Sequence, residues 1–162
     1  LIAITEIMYD PAGIADASGE WFEIYNAADE AIDLNGWRLD SEDGTFHFIQ
    51  YGGQFIIEPG QFLVFGNNDD EATNGEVEVH YQYPGVDYPL DNTSDSIILK
   101  NLYGDVIDSV HYDENGGFPK AKGKSIELSH PYLDNDNGSL WKVATAPYGD
   151  GSNLGTPGEA SW

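Results

Sequence analysis

Carboxylates and aromatic rings are the side chains in this sequence whose types and spacing could do chemistry. The run Asp134-Asn135-Asp136-Asn137-Gly138 opens like a calcium loop, in which alternating oxygen ligands wrap a hard cation around a tight glycine turn. Asp134 and Asp136 are its candidate metal ligands, and Ca2+ is the one cofactor the sequence suggests. No Glu stands where an EF-hand places its bidentate ligand, so the alternative is an Asx-rich turn between strands. The acidic loop Asn67 to Glu71 poses the same choice with less regular spacing. Glu6 and Glu23 could act as acid and base across adjacent strands; the alternative is that they pair with backbone or with Arg38.

Other chemistries are missing from the pattern. His47, His80, His111 and His130 are scattered, with no HxH or HExxH spacing for a transition metal. There is no GxSxG elbow and no glycine-rich phosphate loop ahead of a helix. The absence of cysteine removes disulfides, thiolate metal sites and cysteine nucleophiles. No catalytic residue is assigned. Trp21, Trp37 and Trp141 could stack sugars on an exposed face, but their strand positions favour the core. Tyr81, Tyr83, Tyr88, Tyr112, Tyr132 and Tyr148 are the candidates for an exposed aromatic surface.

The elements that must position these residues are strands. The stretch Gly19 to Ser41 reads as strand, bend, strand, hairpin, strand, with Trp21 to Tyr25 first and Asn35-Gly36 as a type I′ turn before Trp37 to Leu39. Two tryptophans on neighbouring strands would then supply much of a sandwich core. Leu1 to Tyr9 precedes them as a strand that Asp10-Pro11 stops. Phe46 to Ile49 follows, then two apolar runs around Glu58-Pro59-Gly60, a type II turn that makes a hairpin or a corner. Asn67 to Gly75 reads as an exposed loop, and Glu76 to Tyr83 as an alternating strand with one wet side. Ile97 to Leu99, Val106 to Tyr112 and Ser125 to Leu128 complete the strands, with Leu140-Trp141-Lys142 near the end. No window holds a helical period, and 19 glycines and 8 prolines punctuate short runs. This is an all-β chain, a sandwich or a barrel.

With 162 residues the chain suits a single domain over residues 1–162 that needs no metal to fold. Twenty-nine Asp and Glu face six Lys and Arg, a net charge of −23. That balance repels phosphate backbones and anionic leaflets, so neither nucleic acid nor membrane insertion is expected. It suits solubility in salty water, or a surface that recruits cations. The chain begins at Leu1 inside a strand pattern, and reads as a domain excised from a larger protein.

Six pieces, in order, resemble the lamin tail domain, an immunoglobulin-like module of nuclear lamins that also occurs in secreted bacterial proteins. They are Ile4 to Tyr9, Glu20 to Asn26 (W-x-E-hydrophobic-x-N), Ile32 to Leu39 (D-L-x-G-W-x-L), Glu58 to Gln61, Gly104 to Val110, and Leu140-Trp141 with Gly155-Thr156-Pro157-Gly158. The resemblance implies an immunoglobulin-like β-sandwich of about eight to ten antiparallel strands without the inter-sheet disulfide. It also implies a non-catalytic accessory module of a larger secreted or cell-surface bacterial protein, making a protein–protein contact or attaching to a surface polymer. The alternative is a calcium-assisted carbohydrate-binding module built on the surface tyrosines. The insertion from Asn67 to Pro89 and the acidity depart from the nuclear members, so DNA contact is not carried over.

Overall fold

The computed structural model describes all 162 residues, and it is built almost wholly of strands. β1 (Ile2–Met8) is buried along its length and stops at Asp10-Pro11. A single helical turn, α1 (Asp16–Gly19), leads into β2 (Trp21–Asn26), which lies antiparallel to β1. The chain then crosses to the second layer through β3 (Ile32–Asp33), β4 (Arg38–Asp40) and β5 (Phe46–Phe48). It returns through β6 (Ile56–Ile57) to β7 (Phe62–Gly66). After the turn α2 (Glu71–Asn74) come β8 (Tyr81–Gln82), β9 (Ser94–Lys100) and β10 (Val106–Asp113). β11 (Ile126–Leu128), β12 (Trp141–Val143), β13 (Pro147–Tyr148) and β14 (Asn153–Leu154) finish the chain.

Ten of these strands form two sheets, six-stranded in the order β12-β11-β1-β2-β7-β8 and four-stranded in the order β10-β9-β4-β5. Short ladders β3-β6 and β13-β14 stand beside them. The pairings are antiparallel except β7 with β8. The layers enclose one apolar cluster, because alternate residues of each strand point the same way. Ile2, Ile4, Phe22, Ile24, Leu63 and Phe65 face Leu39, Ile97, Leu99 and Val110. This is the immunoglobulin-like sandwich expected.

Two local expectations are corrected, and the choice left open at Pro59-Gly60 is resolved. Asn35-Gly36 is not a type I′ hairpin: only Gly36 has positive φ, at 84°, and Trp37 N–H closes the turn on Leu34 C=O at 3.0 Å. The turn hands the chain from the β3-β6 ladder to the four-stranded sheet, and Leu102 packs so close to Gly36 that a Cβ there would meet it at 2.7 Å. Pro59-Gly60 makes a corner, since β6 and β7 pair with different partners. The expected strand over Glu76 to Tyr83 shrinks to Tyr81–Gln82. Its first half instead folds over the outside of β7, where Val77 buries and the His80 imidazole accepts the Val64 N–H at 3.1 Å.

That detour explains the placement of Trp21. Trp37 and Trp141 belong to the core between the sheets, but Trp21 does not. Phe22 and Ile24 face inward, so the period of two turns Trp21 outward. There it packs with Met8, Val64 and Val77 under the 67–80 insertion, its indole edge against Tyr148. Two rings bind the layers together, and the third fastens a cover onto the outside.

Truncating the centre of the sandwich should cost more than thinning this outer cover. Leu99→Ala should destabilise by about 3 kcal/mol and Val77→Ala by about 1.5 kcal/mol, measured by urea denaturation. Equal losses would show that the outer cluster carries as much of the fold as the core.

Candidate functional site

The outer face of the six-stranded sheet carries a row of acids. In register, Glu6 lies opposite Glu23 on one side and opposite Glu127 on the other. Like charges directly across strands repel, yet all three are buried, with 1%, 1% and 4% of their surface exposed. The sequence suggested the Glu6–Glu23 pairing. Glu127 was not singled out there, although the alternation Ile126-Glu127-Leu128 marks it as a residue of the opposite face.

What covers the row is the C-terminal segment. Thr156 donates to Glu6 from both its backbone N–H and its hydroxyl, each at 2.8 Å, and Ser125 Oγ donates to the same carboxylate. Gly158 N–H and Thr5 Oγ1 donate to Glu23, each at 2.7 Å. A bulge between Ile4 and Glu6 frees Thr5 for that contact. Gly155 lies so close that a Cβ would fall 2.8 Å from Glu6 Oε1 and 3.2 Å from the Trp21 ring. Farther along, Trp162 packs on Tyr25 and Phe62. Glu6 and Glu23 therefore bond to backbone and hydroxyls, whereas Arg38 pairs with Asp40. They form a latch that holds the C-terminal segment on the sheet.

Burial pushes the Glu6 carboxyl up to about 7, against the pull of Ser125 and Thr156 and with Glu127 adding to it. Burial raises Glu23 well above the usual carboxylate range, reinforced by the Glu6 charge and opposed by Thr5 and Gly158. A group whose pKa rises on folding binds its proton more tightly in the native state, so its stabilisation is complete below about pH 4.5. That contribution is lost as pH rises through about 7, and for Glu6 it is on the order of 3 kcal/mol.

The Asp134–Gly138 loop clamps the two sheets. Asn135 Nδ2 donates to Asp108 at 2.7 Å and to Ile4 C=O at 3.3 Å, while Trp141 Nε1 donates to Asn135 C=O. Asp108, on β10, also accepts the Ile4 N–H of β1 at 2.6 Å. Burial pushes Asp108 up to about 6, even with those two donors pulling it down. Asp134 Oδ1 accepts the Asp136 N–H, and Asp136 turns toward His111, accepting its backbone N–H at 2.7 Å and lying 2.9 Å from Nδ1. The two candidate calcium ligands thus point to different partners, and nowhere do three acidic or histidine side chains converge closely enough to hold a metal ion.

The aromatic surface is not where the tyrosines suggested. Tyr81, Tyr83, Tyr88 and Tyr112 are core residues, and Tyr148 is half-buried against Trp21; Tyr132 alone of the six is exposed. Residues at alternate positions of β8 and its continuation turn inward to close the sandwich end, where Tyr88 donates to Asp40 C=O and Tyr112 to Asp91 C=O. Among the exposed aromatics, Phe46 and Phe48 on β5 form a pair, about half exposed, with their rings 5.8 Å apart. The Arg38 guanidinium lies over both, at 5.4 and 5.8 Å from the ring centres. The spacing Phe46-His47-Phe48 puts both rings on one face, and that alternation was the signal in the sequence that could have found them.

Glu6→Gln should remove part of the pH dependence of stability. The amide can keep accepting from Thr156 N–H and Ser125 while donating to Thr156 Oγ1, which reverses its hydroxyl. Denaturation at pH 5 and pH 8 should show the native chain losing stability with rising pH and the variant losing less, by about 2–3 kcal/mol. Identical slopes would show that the latch carboxyl titrates as it does unfolded.

A family model described as the lamin tail domain matches residues 1–114. Among the curated proteins none matches. The matched stretch runs from β1 through β10 and so takes in the whole four-stranded sheet and β1, β2, β7 and β8 of the other. Trp141 and the Gly155–Gly158 latch lie beyond it. With well over half its length matched and both layers of the sandwich folded around the same segments, the chain belongs to the lamin tail domain family.

Proposed function

We propose that this domain is a non-catalytic interaction module of a larger secreted or cell-surface protein, making a protein–protein contact through the open face of its four-stranded sheet. The observation that carries the reading is the pair Phe46 and Phe48. They stand half-exposed on β5, an edge strand of the four-stranded sheet, beside the Arg38–Asp40–Lys100 ion cluster. Exposed aromatics next to an arginine, on a rigid sheet, are the composition of interface hot spots.

The opposite face is closed by the latch and the 67–80 insertion, which leaves the four-stranded sheet as the accessible layer. The charge of −23 argues against nucleic acid and anionic membranes as partners. It suits a domain that stays soluble in a salty exterior. The buried acids are held by the protein's own donors, which supports an interaction role over a catalytic one.

In the intact parent protein, Phe46→Ser with Phe48→Ser should abolish attachment or partner capture while shifting the melting temperature by no more than about 2–4 °C, as befits surface sites. Deleting the domain should leave the turnover of a neighbouring enzyme module on a small soluble substrate unchanged. Collapse of that turnover would overturn the reading.

A further inference from the structure

From Thr156 to Trp162 the chain makes no main-chain hydrogen bond to the sandwich; the bond from Glu159 N–H to Thr156 C=O is internal to the segment. The last rung before it is Gly155 N–H on Ala146 C=O. Beyond that rung, each polar tie to the body runs through a side chain that can carry charge. Glu6 takes the Thr156 N–H and hydroxyl, and Glu23 takes the Gly158 N–H. Glu127 stands 3.4 Å from the same hydroxyl, and Lys142 Nζ donates to Ser161 C=O at 2.6 Å. Trp162 adds ring contacts with Tyr25, Phe62 and His130 and stays 40% exposed. A segment held in this way, without ladder bonds, can open while the rest stays folded.

The row beneath it resists full ionisation. Glu127, Glu6 and Glu23 stand side by side on β11, β1 and β2, each almost without solvent. Like charges opposite one another repel, and burial removes the water that would screen them. One cation faces the row: Lys142 of β12 lies 3.4 Å from Glu127, two strands away from Glu23. At the Glu23 end, His80 and Glu78 of the insertion and Glu159 of the segment itself line a cleft with Gly158. Tyr148 approaches from β13, its hydroxyl against the Trp21 indole. None of these neutralises Glu6 or Glu23, so the covered row keeps a proton.

We propose that Thr156 to Trp162 is a proton-operated strap, held over the glutamate row while the row keeps a proton and lifted from the sheet as the row ionises in full. Lifting lets water reach the carboxylates and carries Trp162 off Tyr25 and Phe62. The device is separate from the Phe46–Phe48 face and does not depend on the role given to it.

The direction follows from where the proton is held. Burial under the strap pushes Glu6 up to about 7 and raises Glu23 as well, whereas a carboxyl in water returns toward 4.5. The closed state therefore binds the proton more tightly, and its advantage is lost as pH rises through about 7. Above that point each pH unit should multiply the opening constant about tenfold for one proton released.

The test is amide hydrogen exchange of the full chain at pH 6, 7 and 8, expressed as protection factors so that the intrinsic acceleration by hydroxide is removed. Protection at Thr156 and Gly158 should fall about tenfold from pH 7 to pH 8. At each pH it should lie at least about a hundredfold below that of the central-strand amides of Ile24 and Leu99. Glu6→Gln should flatten most of the pH dependence at Thr156 and Gly158. If that variant fails to fold, Thr156→Val, which removes the hydroxyl donor and keeps the N–H, should lower Gly158 protection already at pH 6. Level protection at Thr156 and Gly158 from pH 6 to pH 8 would overturn the proposal. So would protection equal to that of Ile24 and Leu99, because the segment would then leave only when the sandwich unfolds. A Glu6→Gln slope like the native one, or a Thr156→Val chain protected like the native one, would overturn it too.

Discussion

A carboxylate taken out of water must meet a donor, and this chain has almost no cations to offer. Six basic residues against twenty-nine acids leave backbone N–H groups and hydroxyls as the main counterparts of buried acids. Ion pairs answer only for Asp40 and Glu127 among the buried ones. Glu6 and Glu23 are met by Thr156, Gly158, Thr5 and Ser125, and Asp108 by Ile4 and Asn135. These hydrogen bonds also decide geometry. The C-terminal segment lies where it does because two buried glutamates need its amides.

The same rule organises the sandwich at its seams. β1 and β10 belong to different sheets, and the Ile4 N–H of one is claimed by Asp108 of the other. Asn135 then bridges that carboxylate to the Ile4 carbonyl, so a loop that looked like a cation site is a strut between layers. Apolar burial supplies the bulk of the stabilisation. The polar contacts select which edges meet and in what register, because a misplaced one would strand a charge in the interior.

The two outer faces of the domain differ accordingly. One is roofed by the latch and by the insertion, which lays Val77 over Trp21, Met8 and Val64. The other keeps Phe46 and Phe48 open beside Arg38. A family sandwich can thus keep one face open by covering the other with segments of its own chain.

The all-β class, the ends of β1, β2, β10 and β11, the Pro59-Gly60 corner and the burial of three tryptophans were legible in the sequence. Each depends on local alternation, on turn residues or on side-chain size, which are properties of a few consecutive residues. The sequence also carried the family, through segments such as Trp21–Asn26 and Ile32–Leu39. Which face of a sheet each residue meets was not legible. Trp21 was placed between the layers and lies outside them, and four tyrosines expected at the surface are core, because the period of two names two faces without saying which is inside. The place of Glu127 beside Glu6, and the Thr156 and Gly158 donors that close the row, exist only through contacts between segments more than a hundred residues apart. Register is set by the packing of the whole, so only the tertiary structure could decide it.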